Sequence, residues 1–517
     1  MSMSGLRHGA ATCSRTAACS RQLGTSASSR SAHDWLVKDA YIGGRWISAE
    51  DHGASYDVHD PGRGTVVATL PDLGASQVGN AVDAAEEALK KWRKTTGKER
   101  SEVLRKVHDL HKEHADELAE ILAMESGKPL AEAKGEIMYG ASYFEWFAEE
   151  AKRAYGDVIP EPTPGRKIFT FREPVGVCGL ITPWNFPNAM IARKVAPAIA
   201  SGCTVVIKPA SETPLSTLAI AKMFEMAGVP DGVLNVVPGK SSSDIGGAMT
   251  SDKRVRKISF TGSTRVGKIL LKSSADSVKK VSMELGGDAP FIVFDDADVD
   301  AAVEGLIAAK FRNAGQTCVC ANRVYVQSGI FDEFADKFCK RVEALKVGWY
   351  KDDDVNVGPL ITTAAVEKVS GLVEDAIQQN AKVLVGGKVL AMDDTKYSDQ
   401  YYAPTVLTNC TDSMRVAKEE IFGPVAPLFK FETEEEVLER ANNTDQGLAA
   451  YFFSADVARC FRVTQALESG MVGCNTGLIS TEVAPFGGVK ESGLGREGSK
   501  YGMDDYSELK YMALQLD

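Results

Sequence analysis

Residues 175–207 read VGVCGLITPWNFPNAMIARKVAPAIASGCTVVI. Two short runs rich in Val, Ile and Leu, 175–181 and 204–207, flank a stretch, 188–200, whose apolar residues recur at helical spacing. That pattern predicts strand, helix, strand. The same rhythm continues downstream, with a helix over 215–226 and strands over 233–237, 255–260 and 278–283. Strands alternating with helices pack as a parallel, doubly wound sheet, because each helix carries the chain back to begin the next strand in the same direction. Upstream, Val78, Ala81, Val82, Ala85, Leu89 and Trp92 follow helical spacing, and 103–124 continues it as far as Gly127, a helix stop. A second alternating block spans about 290–475, with strands at 291–294 and 324–326 and helices at 299–312 and 364–379. It predicts a second α/β domain. Residues 506–516 form one further strand-like run, with another subunit among its candidate partners.

Composition narrows the function. A chain of 517 residues, 44% hydrophobic and 25% charged, makes two or three globular domains with substantial cores. A formal net charge of -11 without a long basic run repels nucleic acid, so no such partner is expected. No apolar run approaches the roughly 20 residues of a membrane-spanning helix, and Asn185, Arg193 and Lys194 interrupt the most apolar region. No membrane association is expected. Ten cysteines are too dilute for a secreted disulfide framework, and no CxxC pair suggests zinc. Before Asp34 there are four arginines, eight serines, no lysine and no acidic residue, the bias of a mitochondrial transit segment. Residues 1–33 are therefore expected to be a leader that directs the protein to the mitochondrial matrix, with the cytoplasm as the alternative.

Histidine supplies the sharpest exclusion. The seven lie at positions 8, 33, 52, 59, 108, 111 and 114, so a site in the last 403 residues works without imidazole. Ser-His-Asp and Cys-His machinery are excluded there, and the commonest metal ligand is missing. His108, His111 and His114 repeat every three residues among Lys, Asp and Glu, which predicts a solvated helix face rather than a metal site.

Two glycine patterns separate on context. Gly493-Leu-Gly-Arg-Glu-Gly498 matches G-x-G-x-x-G, but no strand precedes it and no apolar helix follows, so it does not predict a phosphate loop. Gly262-Ser-Thr-Arg-Val-Gly-Lys268 does lie between a predicted strand and helix, although Ile269 replaces the hydroxyl that would hold magnesium. Small residues at a helix N-terminus can hold a phosphate anion with free backbone N–H groups, which suits a dinucleotide pyrophosphate without metal.

The strongest signal is Phe311-Arg-Asn-Ala-Gly-Gln-Thr-Cys-Val-Cys-Ala-Asn322. With Thr182-Pro-Trp-Asn-Phe-Pro187, Lys208-Pro-Ala-Ser-Glu-Thr-Pro214, Met283-Glu-Leu-Gly-Gly287 and Glu420-Ile-Phe-Gly-Pro424, it resembles the aldehyde dehydrogenase superfamily in order and spacing, from about Ala40 to the C-terminus. The resemblance implies an α/β fold with a Rossmann-like cofactor domain over 34–285, a catalytic domain over 286–475, and a return over 476–517. It also implies a small β oligomerisation arm that takes in about 160–174 and the C-terminal strand, and a homotetramer or dimer.

The resemblance also implies roles. Aldehyde oxidation needs a nucleophile to make the carbonyl carbon tetrahedral before two electrons leave it, and Cys318 matches the family nucleophile. Asn185 matches the side-chain donor to the resulting oxyanion, and Glu284 the carboxylate base that activates water for thioester hydrolysis. Thr182, Trp184, Gly262, Ser263, Leu285, Glu420 and Phe422 match cofactor positions. Lys208 and Ser211 fall near the adenosine ribose, where many NAD-preferring members carry glutamate in place of Ser211. Serine there removes repulsion of a 2′-phosphate, so NADP as well as NAD is expected, with Glu212 a neighbouring negative charge. Cys-Val-Cys and Asn475-Thr-Gly-Leu-Ile-Ser480 resemble the succinate-semialdehyde dehydrogenase branch, in which Arg193, Arg312 and Ser480 match positions that hold a substrate carboxylate. That implies succinate semialdehyde in GABA degradation, or glutarate semialdehyde. Asp288 departs from the branch, which more often has an amide, and is expected to raise the pKa of Glu284. Cys320 is a candidate disulfide partner for Cys318, provided the backbone turns between them. A Cys-Glu-Lys hydrolase, like the nitrilases, is the alternative from another class.

Overall fold

The computed structural model describes residues 34–516 except 394; the expected leader lies outside the described residues. Its centre is an eight-stranded sheet in the order Gly493–Leu494, Lys280–Glu284, Val255–Thr261, Val177–Ile181, Thr204–Lys208, Leu234–Val236, Ala40–Ile42, Arg45–Ile47. The five strands from Lys280–Glu284 to Leu234–Val236 are mutually parallel. Val177–Ile181 comes first among them in sequence, and the later strands add to both of its sides, so the winding reverses beside it. In such sheets the crevice outside the carboxyl ends at this reversal receives ligands. Thr182, Lys208, Gly262 and Glu284 all lie at those ends.

A second sheet of seven strands runs Lys382–Val385, Thr405–Thr408, Val425–Phe431, Ala321–Gln327, Ala289–Val293, Ala449–Phe453, Met471–Cys474, parallel except at Lys382–Val385. Its core is aliphatic and aromatic, including Phe291, Phe294, Tyr325, Phe429 and Phe452. In a separate three-stranded sheet, Arg166–Pro174 pairs with Val158–Ile159 and, over its full length, with Ser507–Gln515. The C-terminal strand thus finds its partner within its own chain. Leu509, Tyr511 and Leu514 on this strand, and Leu516 just past it, are exposed.

Three local expectations need correction. The helix expected over 103–124 is two helices, Gly97–Glu113 and Ala115–Ser126, broken at His114 (φ -115°, ψ 26°). The expected solvated histidine face is buried: His111 is fully enclosed, its Nδ1 2.9 Å from the Val107 carbonyl, and His108 meets the Ala141 carbonyl at 3.0 Å. The charged neighbours Lys106, Asp109 and Lys112 point to the other side, because residues three or four apart share a helix face and adjacent ones do not. Val278 does not begin a strand; it sits in the left-handed region (φ 48°), and the strand starts at Lys280.

Candidate active site

The helix Val299–Phe311 ends one residue before the expected position, and the chain then passes through three consecutive left-handed residues, Asn313, Ala314 and Gly315. Two of these carry side chains, at about 1–2 kcal/mol each, so surrounding bonds must hold the turn. The Asn313 amide donates to the Asn185 carbonyl (3.0 Å), the Asn313 N–H donates to Glu132 (2.8 Å), and Gln316 donates to the carbonyls of Asn313 and Pro359 while accepting from Ile361 N–H. This clamped turn delivers Cys318 to the N-terminal edge of the second sheet, facing the carboxyl ends of the first.

Cys318 lines a cavity of about 390 Å³ together with Asn185, Trp184, Gly262, Leu285, Glu420 and Phe422, so residues from five distant segments share one surface. Trp184 and Phe422 meet edge to face with ring centroids 5.5 Å apart. Ser263 caps the helix Thr264–Ser274, its hydroxyl accepting from Val266 N–H at 3.4 Å. Burial pushes the Cys318 thiol up to about 12, with the Arg193 guanidinium opposing, so the resting sulfur is protonated at neutral pH. The Asn185 side-chain amide donates to the Gln316 carbonyl (3.1 Å), and the Asn185 backbone carbonyl accepts from the Lys128 ammonium at 2.9 Å. Lys128 is itself buried against Glu136.

Glu284 ends the strand Lys280–Glu284, 1% exposed, with neither carboxylate oxygen hydrogen-bonded. Burial and the nearby Glu497 hold its pKa well above the usual range, while Arg193, Lys194 and Arg496 oppose them. Asp288 does not exert the expected effect: its charge is matched by Arg323 at 3.2 Å and it accepts from Asn322, so it is a closed buried pair. Glu420 accepts from Gly287 N–H at 3.2 Å, and burial raises its carboxyl to about 7.

The remaining candidates are placed as follows. Lys208 is buried and its carbonyl accepts from Thr182 N–H (3.2 Å); Ser211, on a separate cavity, donates to Glu212 (3.2 Å). Arg193 is ion-paired with Glu497 and lies over the Phe486 ring, leaving Nη2 buried without a partner. Arg312 is partly exposed over the Phe186 ring at 5.2 Å and makes no ion pair among the described residues. Ser480 is partly exposed in the segment after Met471–Cys474. The Cys320 thiol is buried toward the Lys310 carbonyl, 3.5 Å away, whereas Cys318 faces the cavity.

Sequence reading missed Glu497, Lys194 and Lys128. A signal existed for Lys194: every residue of Ala189–Ser201 is buried, so its two adjacent cations required an anion. The anion comes from the discarded glycine motif. Gly493 (φ 145°) approaches so closely that a Cβ would meet the Met283 carbonyl at 1.9 Å, and this edge pairing places Glu497 on both cations.

The family model for the "Aldehyde dehydrogenase family" matches residues 46–512. The chain belongs to the aldehyde dehydrogenase family. Among its relatives, glutarate-semialdehyde dehydrogenase of Pseudomonas putida is 53% identical, covering 93% of this chain and 98% of the relative. Succinate-semialdehyde dehydrogenase [NADP(+)] of Escherichia coli is also 53% identical, with the same coverage. The crystal structure of succinate-semialdehyde dehydrogenase from Burkholderia pseudomallei superposes with a TM-score of 0.91 at 54% identity, covering 93% of this chain and 98% of that one. The expected fold class holds: this is the aldehyde dehydrogenase fold, with a Rossmann-like parallel sheet that carries no glycine fingerprint.

Proposed function

We propose that this aldehyde dehydrogenase oxidises succinate semialdehyde to succinate with NADP or NAD, in GABA degradation. The observation that carries the reading is the meeting of Cys318 and Asn185 on one cavity, with a buried carboxyl free of hydrogen bonds, Glu284, at the neighbouring strand end. Cys318 sulfur adds to the aldehyde carbon, its proton passing to solvent as the bond forms. The Asn185 amide donates to the oxyanion, a role in which one such donor is worth about 10²–10³ in rate. A nicotinamide dinucleotide, when bound, supplies the two-electron acceptor. Its pocket fits the Trp184 and Phe422 rings, the Gly262-Ser263 helix start and the Glu420 carboxylate. Glu284, once ionised, takes a proton from water, which attacks the Cys318 thioester and releases the acid and the thiol.

Arg312, which makes no ion pair among the described residues, is the group best suited to a substrate carboxylate, with Ser480 and the unpartnered Nη2 of Arg193 as the further candidates. Ser211 and Lys208 favour NADP acceptance. The same carboxylate logic admits glutarate semialdehyde, the substrate named for the P. putida relative. The arm and its exposed apolar residues support a homotetramer, and the Arg- and Ser-rich leader supports a mitochondrial location. The reading is tested by absorbance at 340 nm with succinate semialdehyde, glutarate semialdehyde and an uncharged aldehyde, each with NADP and with NAD. Cofactor reduction with the two semialdehydes at far lower KM than with the uncharged aldehyde is expected. Equal KM values for all three would overturn the substrate assignment, and aldehyde consumption without cofactor reduction would restore the hydrolase reading.

A further inference from the structure

Cys460 and Cys474 lie 14 positions apart, yet the fold brings them together away from the catalytic cavity. Cys460 is on the helix Val457–Ala466, and its thiol points at the Ser454 carbonyl, 3.9 Å away. Cys474 ends the edge strand Met471–Cys474 in register with Phe452. The next residue, Asn475, brackets Ser454 completely: its amide donates to the same Ser454 carbonyl (2.9 Å) and its Oδ1 accepts from Ser454 N–H (3.0 Å). One carbonyl therefore gathers both segments, and Cys474 stands beside Cys460, one residue from the Asn475 that shares this carbonyl with it. Both are free and only partly buried. No partner in the mechanism uses them.

The geometry points to Cys460 and Cys474 as a dithiol modification site that closes to a disulfide by exchange with a small disulfide such as oxidised glutathione. Cys460 as thiolate attacks one sulfur of the small disulfide, forming a mixed disulfide and expelling one thiolate, which takes up a proton. Cys474, losing its proton to solvent, then attacks the Cys460 sulfur and expels the second small thiol. Two protein thiols lose two electrons and two protons, and one small disulfide becomes two thiols. Burial and the adjacent Cys460 raise the Cys474 thiol to about 12, so Cys474 is a slow attacker and acts second, where the mixed disulfide already holds its target beside it. The bond would pin the strand end from which 475–480 departs, and so acts on that segment without touching Cys318.

Trypsin makes the site readable, because it cuts after Arg459, Arg462 and Lys490. The full chain is incubated with oxidised glutathione, its remaining thiols are blocked with iodoacetamide, and the digest is weighed by mass spectrometry. The expected product is the tripeptide 460–462 joined to 463–490, with loss of two alkylatable thiols that dithiothreitol restores. In Cys460→Ser, Cys474 should stay alkylated. Cys318 and Cys320 share the single peptide 313–323, so a bond between them registers separately. A digest in which 460–462 carries glutathione or iodoacetamide while 463–490 remains alkylated overturns the proposal, as does a Cys474 that is lost equally in Cys460→Ser.

Discussion

Glu497 lies against Lys194, a buried carboxylate and a buried ammonium joined across 303 residues of chain, and its second oxygen meets Arg193. The cluster stands beside Glu284, whose carboxyl Glu497 helps to hold above the usual range. Glu284 must be ionised to act as a base, so turnover falls as pH drops through its pKa. Glu497→Gln removes a negative neighbour and leaves both cations, which lowers that pKa. The acid limb of kcat should move to lower pH; a limb that stays or moves up contradicts this electrostatic account. The same change strands two buried cations and should cost about 3–5 kcal/mol of stability.

Asn185 is held through its backbone by Lys128 and Asn313 and through its side-chain amide by the Gln316 carbonyl, so its side chain is preorganised rather than recruited. Asn185→Ala should lower kcat about 10²–10³-fold with little change in cofactor affinity. A kcat within twofold of the parent would show that the oxyanion is stabilised elsewhere.

Arg312 makes no ion pair among the described residues. Arg312→Gln should raise KM for succinate semialdehyde by about tenfold or more, the loss of one charge-assisted contact of about 1.5–3 kcal/mol, while KM for an uncharged aldehyde stays close to the parent value. Parallel increases for both aldehydes would assign Arg312 to cavity architecture instead.

Ser211 donates to Glu212 in this structure, so a 2′-phosphate must compete with a carboxylate for that hydroxyl. Ser211→Glu should reduce the NADP to NAD ratio of kcat/KM at least tenfold by adding a second negative charge. An unchanged ratio places the 2′-position elsewhere.

His111 is enclosed, and burial depresses its imidazole to about 4. Because the folded pKa lies below the unfolded value of about 6.5, its contribution is complete above pH 6.5 and is lost as pH falls toward 4. Urea unfolding should show roughly 2 kcal/mol less stability at pH 5 than at pH 7 from this group, and His111→Gln should flatten that dependence. Identical pH profiles for the two proteins would remove His111 as the cause.

The parallel sheet was readable because strand and helix periodicity are local: 177–181, 204–208 and 255–261 alternate with helices whose apolar spacing any window of the chain exposes. The candidate nucleophile was readable for a similar reason, since the motif around Cys318 is contiguous. The buried histidines were misread because a helix with one polar face does not say which of its less polar residues another helix will cover; here Leu130–Glu150 supplies the Ala141 carbonyl that His108 meets.

By itself the sequence determined the alternation of strands and helices, the chemistry open to a site without histidine, and which sulfur matches the family nucleophile. Only the tertiary structure decided that Glu497 balances Lys194 and Arg193, that Asp288 is neutralised by Arg323, and that Cys320 turns away from the cavity. Periodicity and motif spacing are properties of neighbouring residues, whereas the compensation of a buried charge depends on which distant carboxylate the packed chain brings within about 3–4 Å of it, and no window of the sequence contains both partners.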